Sequence, residues 1–303
     1  MKFIAQKTKD GTERGKISFC CRVLEVTRQG FYSYLKERNK VWKHEALAAE
    51  IMEIIEEDEC NDTYGRVRIH QALLLKSPEG VHIPSESTVY RVMNEIGAVR
   101  RKCHKPNGIT KADKESMKSN DLLKRNFEAG KPSEKCVTDI TEIKANNGKL
   151  YVSAIFDCYD VSVLGLAMAD NMKTELCVET VENAVKAHPD LTGAILHSDR
   201  GSQYTSEKYR NILSKKGIVQ SMNSAGGRCH DNARCESMWA RMKEELFYSR
   251  NRKSENYTVA ELKTMIWRYY MSYWNNRRIC SANGGLPPAV KRRRYYASLV
   301  SAA

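Results

Sequence analysis

Three acidic side chains occupy positions that could hold a metal ion: Asp139, Asp199 and Glu236. Asp199 follows the apolar run 194–196 and precedes a glycine-containing turn signal, so we expect it where a buried strand ends. Asp139 lies in the alternating, β-branched stretch 136–143, which predicts another strand. The two carboxylates can approach each other if these strands are neighbours in one sheet.

The third carboxylate, Glu236, is predicted to lie on a helix with separate polar and apolar sides. Asn232 and Lys243 lie four residues before and seven residues after it, so all three share one side of the helix. Another side carries an apolar stripe for packing: Cys235, Met238, Met242 and Leu246. The pattern is what a helix that presents a metal ligand requires.

Three carboxylates in one crevice would repel each other and become protonated unless cations were present. Ligation by oxygen alone favours Mg²⁺ or Mn²⁺. Two such ions, roughly 3.5–4 Å apart, could contact both the attacking and the leaving oxygen of a phosphodiester. His197 stands close to Asp199, and a histidine beside a strand end is more typical of hydrogen-bonded structure than of catalysis.

The composition is that of a basic, globular protein. The chain has 303 residues, 41% of them hydrophobic, which is enough for two or three domains. Its net charge of +13 favours a polyanionic partner, with nucleic acid first, although a merely basic soluble protein is the alternative. Ten scattered cysteines without a C-x-x-C pair indicate a reduced, cytoplasmic protein rather than a zinc or disulfide module. With no signal-peptide pattern and no apolar run of membrane-spanning length, we expect neither export nor a membrane partner.

The N-terminal third is predicted to be helical. A polar, flexible lead-in over residues 1–15 belongs to a short helix-turn-helix-like segment, 1–40. Further helices form a helical DNA-binding domain of the helix-turn-helix type over 41–102. The last of these helices follows Ser85 and would expose four polar side chains: Ser87, Tyr90, Arg91 and Asn94. Such a helix could lie in a DNA groove, or it could be the solvated face of an ordinary bundle.

Further basic residues are candidates for contact with DNA. Arg66 and Arg68 begin an earlier helix, and Arg200 stands beside Asp199. Three more cations follow the last helix: Arg100, Arg101 and Lys102. They lead into a basic linker, 103–134, which could lie along phosphates or could be a solvated tether.

From residue 135 onwards the pattern changes to strands. Three antiparallel strands followed by alternating helices and strands over 135–252 predict an α/β fold with a mixed sheet. Residues 253–303 would form a C-terminal helix and a basic tail, with 291–294 as a phosphate-seeking run. Asp157 and Asp160 are assigned to turn chemistry rather than to metal binding. Six aromatic residues are assigned to the core rather than to stacking on bases: Trp239, Trp267, Tyr269, Tyr270, Tyr273 and Trp274.

Several of these stretches resemble one known family. The sequences of 137–141, 197–206 and 231–236, with Lys243 downstream, are similar to DDE transposases and retroviral-type integrases, specifically OrfB-type transposases of the IS-three group of bacterial insertion sequences. The resemblance covers nearly the whole chain. It includes an N-terminal module around 64–66 and a C-terminal signature at 273–277 and 284–288. The sequence departs from the family at Cys136, where relatives often have tryptophan.

The resemblance implies an RNase H-like integrase catalytic core in which Asp139, Asp199 and Glu236 are the metal-binding catalytic triad. It further implies metal-dependent cleavage and strand transfer of an insertion sequence, with Lys243 as a DNA contact. The expected partners are double-stranded DNA (terminal repeats and target), further copies of the chain on DNA, and an upstream-frame protein or fusion partner, in the bacterial cytoplasm and nucleoid. The glycine-rich loop 224–228 would be the hinge before Glu236. Two alternatives are an RNase H-like nuclease without strand transfer and a non-catalytic DNA-binding regulator.

Overall fold

The computed structural model describes residues 1–38, 42–99, 121–123, 126–223, 233–248 and 252–301. The chain divides into two compact units, Met1–Ala49 and Glu50–Ala303. Within the described ranges no helix is long and apolar enough to cross a membrane. The described cysteines are free thiols. The finer division into five segments stays a prediction.

The first unit is built from short helices around a small apolar cluster. It contains α1 (Lys2–Lys7), α2 (Arg14–Val23), α3 (Arg28–Arg38) and the start of α4 (Glu45–Glu56). Its cluster consists of Ile4, Ala5, Ile17, Cys21 and Phe31. The predicted polar lead-in over residues 1–15 was therefore wrong, because the first turn of the chain contributes two fully buried apolar side chains to this cluster.

The helical part of the second unit includes α5 (Arg66–Lys76) and α6 (Glu86–Glu95), which pack against each other. Ile69 and Leu73 of α5 and Val89 and Val92 of α6 are buried. The other side of α6 exposes the four side chains anticipated from the sequence: Ser87, Tyr90, Arg91 and Asn94.

A five-stranded mixed sheet forms the centre of the second unit. The strands are β1 (Lys135–Ala145), β2 (Gly148–Asp157), β3 (Val163–Ala169), β4 (Ile195–Ser198) and β5 (Val219–Met222), in the order β3-β2-β1-β4-β5. The first three pair antiparallel, whereas β4 runs parallel to both β1 and β5. The predicted α/β fold with an RNase H-like mixed sheet is confirmed.

Helices cover this sheet. They are α7 (Thr174–Ala187), α8 (Ser202–Thr205), α9 (Glu207–Lys215) and α10 (Ala233–Leu246). Helix α7 packs so closely on β3 that a Cβ at Gly165 would lie 2.5 Å from the carbonyl oxygen of Thr180 and 2.7 Å from the Cβ of Ala184. Glycine at this position is therefore a packing requirement.

The C-terminal segment belongs to the same compact unit as the sheet. It contains α11 (Val259–Trp267), a π-helical continuation (Arg268–Trp274) and α12 (Pro288–Ser301). Five of the six aromatic residues assigned to the core are buried: Trp239, Tyr269, Tyr270, Tyr273 and Trp274. Trp267 is the exception, with 58% of its surface exposed.

The predicted basic tail is in part an internal structural element. Arg292 is buried, and its guanidinium donates to Asp160 Oδ2 at 2.8 Å and to Asp157 Oδ2. The interpretation of this arginine as phosphate-seeking was wrong, because two buried carboxylates already pair with it. Each carboxylate also closes a turn: Asp157 accepts from the backbone N–H of Tyr159, and Asp160 accepts from that of Ser162. The turn chemistry predicted for both is confirmed.

Candidate active site

Strands β1 and β4 place Asp139 and Asp199 at the same level of the sheet. Their parallel register pairs Val137 with His197. Each aspartate lies two residues further along its own chain, and side chains two residues apart point to the same face of a strand. The condition under which the two aspartates can approach each other is therefore met.

Local hydrogen bonds fix the turn that carries Asp199. Its Oδ1 accepts from the backbone N–H of Gly201 at 2.9 Å. Both ring nitrogens of the buried His197 are hydrogen-bonded, Nδ1 with Ser221 Oγ at 2.8 Å and Nε2 with Asn223 Oδ1 at 2.7 Å. Arg200 Nε donates to the carbonyl oxygen of Asn223. The histidine and the arginine therefore join the ends of β4 and β5, and the structural interpretation of His197 is supported.

The surroundings of the two aspartates disfavour their ionisation. Burial raises the pKa of Asp139 to about 7, and the neighbouring charges of Asp199 and Glu236 act in the same direction. Hydrogen bonds from the backbone of Ile140 and from the indole of Trp239 lower this pKa and only partly offset the rise. The pKa of Asp199 is also raised, chiefly by burial. A bound divalent cation would remove the conflict by replacing the proton.

Helix α10 lies against β1 and brings Glu236 and Trp239 to the aspartate pair. The buried Trp239 donates its Nε1–H to Asp139 Oδ2 at 3.2 Å, and its ring packs edge-on against Phe156. Glu236 lies about one turn earlier and is exposed at the beginning of the helix. The structure thus places Glu236 within the electrostatic influence of Asp139.

The donors in this region fit a hard divalent cation, since carboxylate oxygens at one sheet edge are the ligands that Mg²⁺ and Mn²⁺ take. Among the residues that the structure describes, no group of three or more histidine, cysteine or acidic side chains is close enough to hold a metal ion. A site for a divalent cation would therefore begin with Asp139 and Asp199 as its ligands. The predicted hinge, 224–228, lies outside the described residues.

Lys243 is a predicted DNA contact on the same helix as Glu236. It lies two turns after Glu236 on α10, and its Nζ donates to the carbonyl oxygen of Glu142 on β1 at 3.3 Å. Burial lowers its pKa, whereas the charges of Asp139 and Glu142 raise it. Lys243 therefore holds its positive charge against β1, within the electrostatic influence of Asp139.

The other predicted DNA contacts fall into three groups. Arg66 is exposed and stacks on Tyr90, with its guanidinium carbon 6.0 Å from the ring centroid. Arg68 is half-buried and forms an ion pair with Glu245 at 3.1 Å. Four residues lie outside the described ranges: Arg100, Arg101, Lys102 and Asn232.

The sequence interpretation missed a buried ionic network on α10. Glu245 is 2% exposed and accepts hydrogen bonds from two nitrogens of the buried Arg278, from Tyr269 Oη at 2.8 Å and from Arg68. One signal could have revealed it. Glu245 lies on the apolar stripe of the helix, beside Met242 and Leu246, and a carboxylate on such a stripe needs a buried partner.

Comparison with known proteins agrees with this geometry. Residues 129–228 match the family model described as Integrase core domain. The chain is 31% identical to "Putative transposase InsK for insertion sequence element IS150" of Escherichia coli (strain K12), over 91% of this chain and 93% of the relative. It is 36% identical to an uncharacterized transposase-like protein of Haemophilus influenzae, over 67% of this chain and 91% of the relative. It is 29% identical to the transposase for insertion sequence element IS629 of Shigella sonnei, over 92% of each.

Solved integrase cores are more distant. The catalytic core domain of BIV integrase is 16% identical, with a TM-score of 0.40 over 55% of this chain and 99% of that one. The HTLV-2 integrase catalytic core in complex with magnesium is 13% identical, with a TM-score of 0.38 over 54% of this chain and 97% of that one.

The matched domain, the mixed sheet and the acidic pair at β1 and β4 define the integrase-core class of proteins. Near full-length similarity to insertion-sequence transposases narrows the class, and the chain belongs to the DDE transposase superfamily, in the IS-three group. The resemblance noted in the sequence is thereby confirmed.

Proposed function

We propose that this transposase cleaves the ends of its insertion sequence and joins them to target DNA, with Asp139, Asp199 and Glu236 as its catalytic metal ligands. The observation that carries the proposal is the level placement of Asp139 and Asp199 on neighbouring parallel strands, with the pKa of both raised and the charge of Glu236 close to Asp139.

Two Mg²⁺ or Mn²⁺ ions bound by these carboxylates would activate water, then a DNA 3′-hydroxyl, and stabilise the charge that develops on the phosphodiester. The chain's own groups act by positioning and electrostatics. Trp239 orients Asp139 through its indole N–H, and Gly201 orients Asp199 through its backbone N–H. Lys243 adds positive charge where a DNA phosphate would approach.

The substrate we propose is double-stranded DNA, comprising the terminal repeats of the element and the target. The net charge of +13 and the exposed polar side of α6 support this choice. Further copies of the chain on DNA, an upstream-frame protein or fusion partner, and a cytoplasmic, nucleoid-associated location belong to the same proposal.

The test uses the purified full chain and duplexes that carry the inverted repeats found in the DNA flanking the gene. Asp199→Asn and Glu236→Gln should each abolish Mg²⁺-dependent strand cleavage while DNA binding stays measurable. Glu182→Gln, which neutralises an exposed carboxylate on α7, is the matched control and should cleave normally. Full activity from either active-site variant would remove the proposal.

The same assay separates the two alternatives. Supplying a precleaved end with a free 3′-hydroxyl should give a joined product from a transposase, whereas hydrolysis without joining would indicate a nuclease. Sequence-specific binding without cleavage in either Mg²⁺ or Mn²⁺ would indicate a non-catalytic regulator.

A further inference from the structure

A cleft separates the helical pair α5 and α6 from the catalytic helix α10. Its volume is about 510 Å³, within the range of roughly 300–1,000 Å³ typical of ligand sites. Arg66 and Tyr90 line one wall, and Ser237, Ala240 and Arg241 of α10 line the other. The cleft is therefore enclosed by the predicted DNA-binding helices on one side and by the helix of Glu236 on the other.

The α10 wall of the cleft is continuous with the side of the helix that bears Glu236. Ala240 lies four residues after Glu236, and residues at this spacing are neighbours on one helix face, about 6 Å apart along the axis. Ser237 and Arg241 each lie one residue further round the helix. A DNA strand that runs along this side of α10 would therefore reach both Glu236 and the mouth of the cleft.

Three guanidiniums gather around the buried carboxylate of Glu245, so positive charge is in excess at that end of the cleft. Glu245 pairs with both Arg278 and Arg68. Arg241 adds a third guanidinium, and it has no ion-pair partner among the described residues. The pKa of Arg241 is lowered, first by partial burial and then by the like charges of Arg278 and Arg68. An anion beside Arg241 would offset this repulsion, and a phosphate suits the planar fork of arginine.

The opposite wall offers a surface for stacking. Tyr90 is 44% exposed, and the guanidinium of Arg66 lies over its ring. An exposed aromatic ring beside an arginine is a combination on which nucleic-acid bases stack. Asp62 and Glu244 also line the cleft, so its acidic and basic side chains are equal in number. The attraction for a phosphate is therefore confined to the surroundings of Arg241.

We propose that this cleft binds one nucleotide of the DNA strand engaged at Glu236, with its phosphate on Arg241 and its base or deoxyribose against Tyr90 and Arg66. The proposal rests on the proposed function in that the ligand is the transposase's DNA substrate. It makes the cleft the direct connection between DNA recognition at α6 and cleavage at α10.

The test measures DNA binding rather than cleavage. The full chain carrying Asp199→Asn is titrated with end duplexes in which the phosphates around the cleavage point are replaced, one at a time, by neutral methylphosphonates. One or two replacements should weaken binding about tenfold, as loss of a charge-assisted hydrogen bond would. Adding Arg241→Gln should weaken binding to the unmodified duplex by a similar factor, and those replacements should then have no further effect.

Controls separate this site from general charge loss. Arg210→Gln removes an exposed arginine on α9 and should keep the full methylphosphonate effect. Arg241→Lys should restore part of the affinity. Ala240→Phe, which fills the cleft without changing its charge, should weaken binding as Arg241→Gln does. Thermal unfolding of each variant verifies that it is folded.

The outcomes distinguish this proposal from the proposed function. If Arg241→Gln and Arg210→Gln bind alike, or if the effects of Arg241→Gln and of every methylphosphonate simply multiply, the cleft does not bind the strand. Cleavage by the unmodified protein would still support the chemistry in that case. If Arg241→Gln abolishes the effect of one methylphosphonate while the unmodified protein does not cleave DNA, the cleft proposal is supported and the proposed reaction is removed.

Discussion

The pKa of Asp139 depends on surroundings that the local sequence only partly reveals. An alternating strand predicted its position, and the register with β4 gave it Asp199 as a neighbour. The sequence cannot give the pKa of about 7, because that value depends on burial beneath α10 and on charges from distant parts of the chain.

This pKa makes the stability of the metal-free protein depend on pH. Asp139 has a pKa of about 7 in the folded state and about 3.9 in an unfolded chain. The native state therefore binds more protons between these values, and its stability falls as pH rises from about 4 to about 7. Asp139→Asn removes this effect and should stabilise the metal-free protein at pH 8 by about 1–3 kcal/mol.

Urea unfolding with a chelator present checks the expectation. The gain from Asp139→Asn should shrink as the pH approaches 4, and Glu182→Gln should show no such trend. An equal gain at pH 4 and pH 8 would contradict the role assigned to the charge of Asp139.

Trp239 provides a second test at the residue scale. Trp239→Phe should retain most of the contacts with Phe156 and Tyr270 but lose the hydrogen bond to Asp139 Oδ2. Because a misoriented ligand weakens metal binding, the Mg²⁺ concentration for half-maximal cleavage should rise about tenfold or more, with DNA affinity little changed. Trp267→Phe alters an exposed indole and is the matched control. Identical Mg²⁺ titrations for the two variants would show that the indole N–H does not position the carboxylate.

Helix α10 shows what a periodic pattern can and cannot predict at the scale of one element. Its apolar stripe was read correctly, and Cys235, Met238, Met242 and Leu246 are all buried. Its ionic network was missed, because Arg68 and Arg278 come from remote segments and nothing local to Glu245 identifies them. In the same way, α1 escaped prediction because six residues are too few to show a helical period.

We expect Glu245 to contribute more than any other polar residue of α10 to the stability of the helix in the fold. Burial raises the pKa of Glu245, but Arg278, Arg68 and Tyr269 together outweigh burial and lower the pKa below its ordinary value. Glu245→Gln would leave Arg278 buried and unpaired, so we expect a loss of about 3–5 kcal/mol in the free energy of unfolding. The double variant Glu245→Met with Arg278→Met should recover a large part of that loss. If the losses in free energy of unfolding for Glu245→Met alone and Arg278→Met alone add up to the loss for the double variant in denaturant titrations, the two residues are not coupled.

Gly165 should be irreplaceable for the packing of α7 on β3. An alanine there meets the backbone of Thr180, so we expect Gly165→Ala to destabilise the protein by about 1–3 kcal/mol. Gly15→Ala is the control, since a Cβ at Gly15 in α2 has no neighbour within 4 Å. Equal melting temperatures for the two variants would mean that α7 can move away from the sheet at little cost.

At the scale of the whole molecule, the sequence predicted the mixed sheet but not the contacts that its C-terminal segment makes with distant residues. The acids required β1 and β4 to be neighbours, and the sheet has that order. The segment predicted as a C-terminal helix and basic tail instead buries Tyr273, Trp274 and Arg292 within the same compact unit as the sheet. Its partners are Asn61 and Tyr64 for Tyr273 and Asp157 and Asp160 for Arg292, all more than a hundred residues away. Such pairings leave no trace in local periodicity.

Because Arg292 is buried, it should not contribute to DNA affinity as the exposed cations behind the net charge of +13 do. Counterion release predicts that affinity falls about a thousandfold or more between 50 and 200 mM salt if six or more phosphates are neutralised. In α12, Arg293 and Arg294 are exposed and free to contribute, whereas Arg292 pairs with Asp157 and Asp160. Replacing both exposed arginines with glutamine should lower the slope of log affinity against log salt by up to about two.

Arg292→Gln should instead lower the melting temperature, because it leaves two buried carboxylates without their cation. An affinity that stays flat across this salt range would exclude phosphate contacts as the main source of DNA binding.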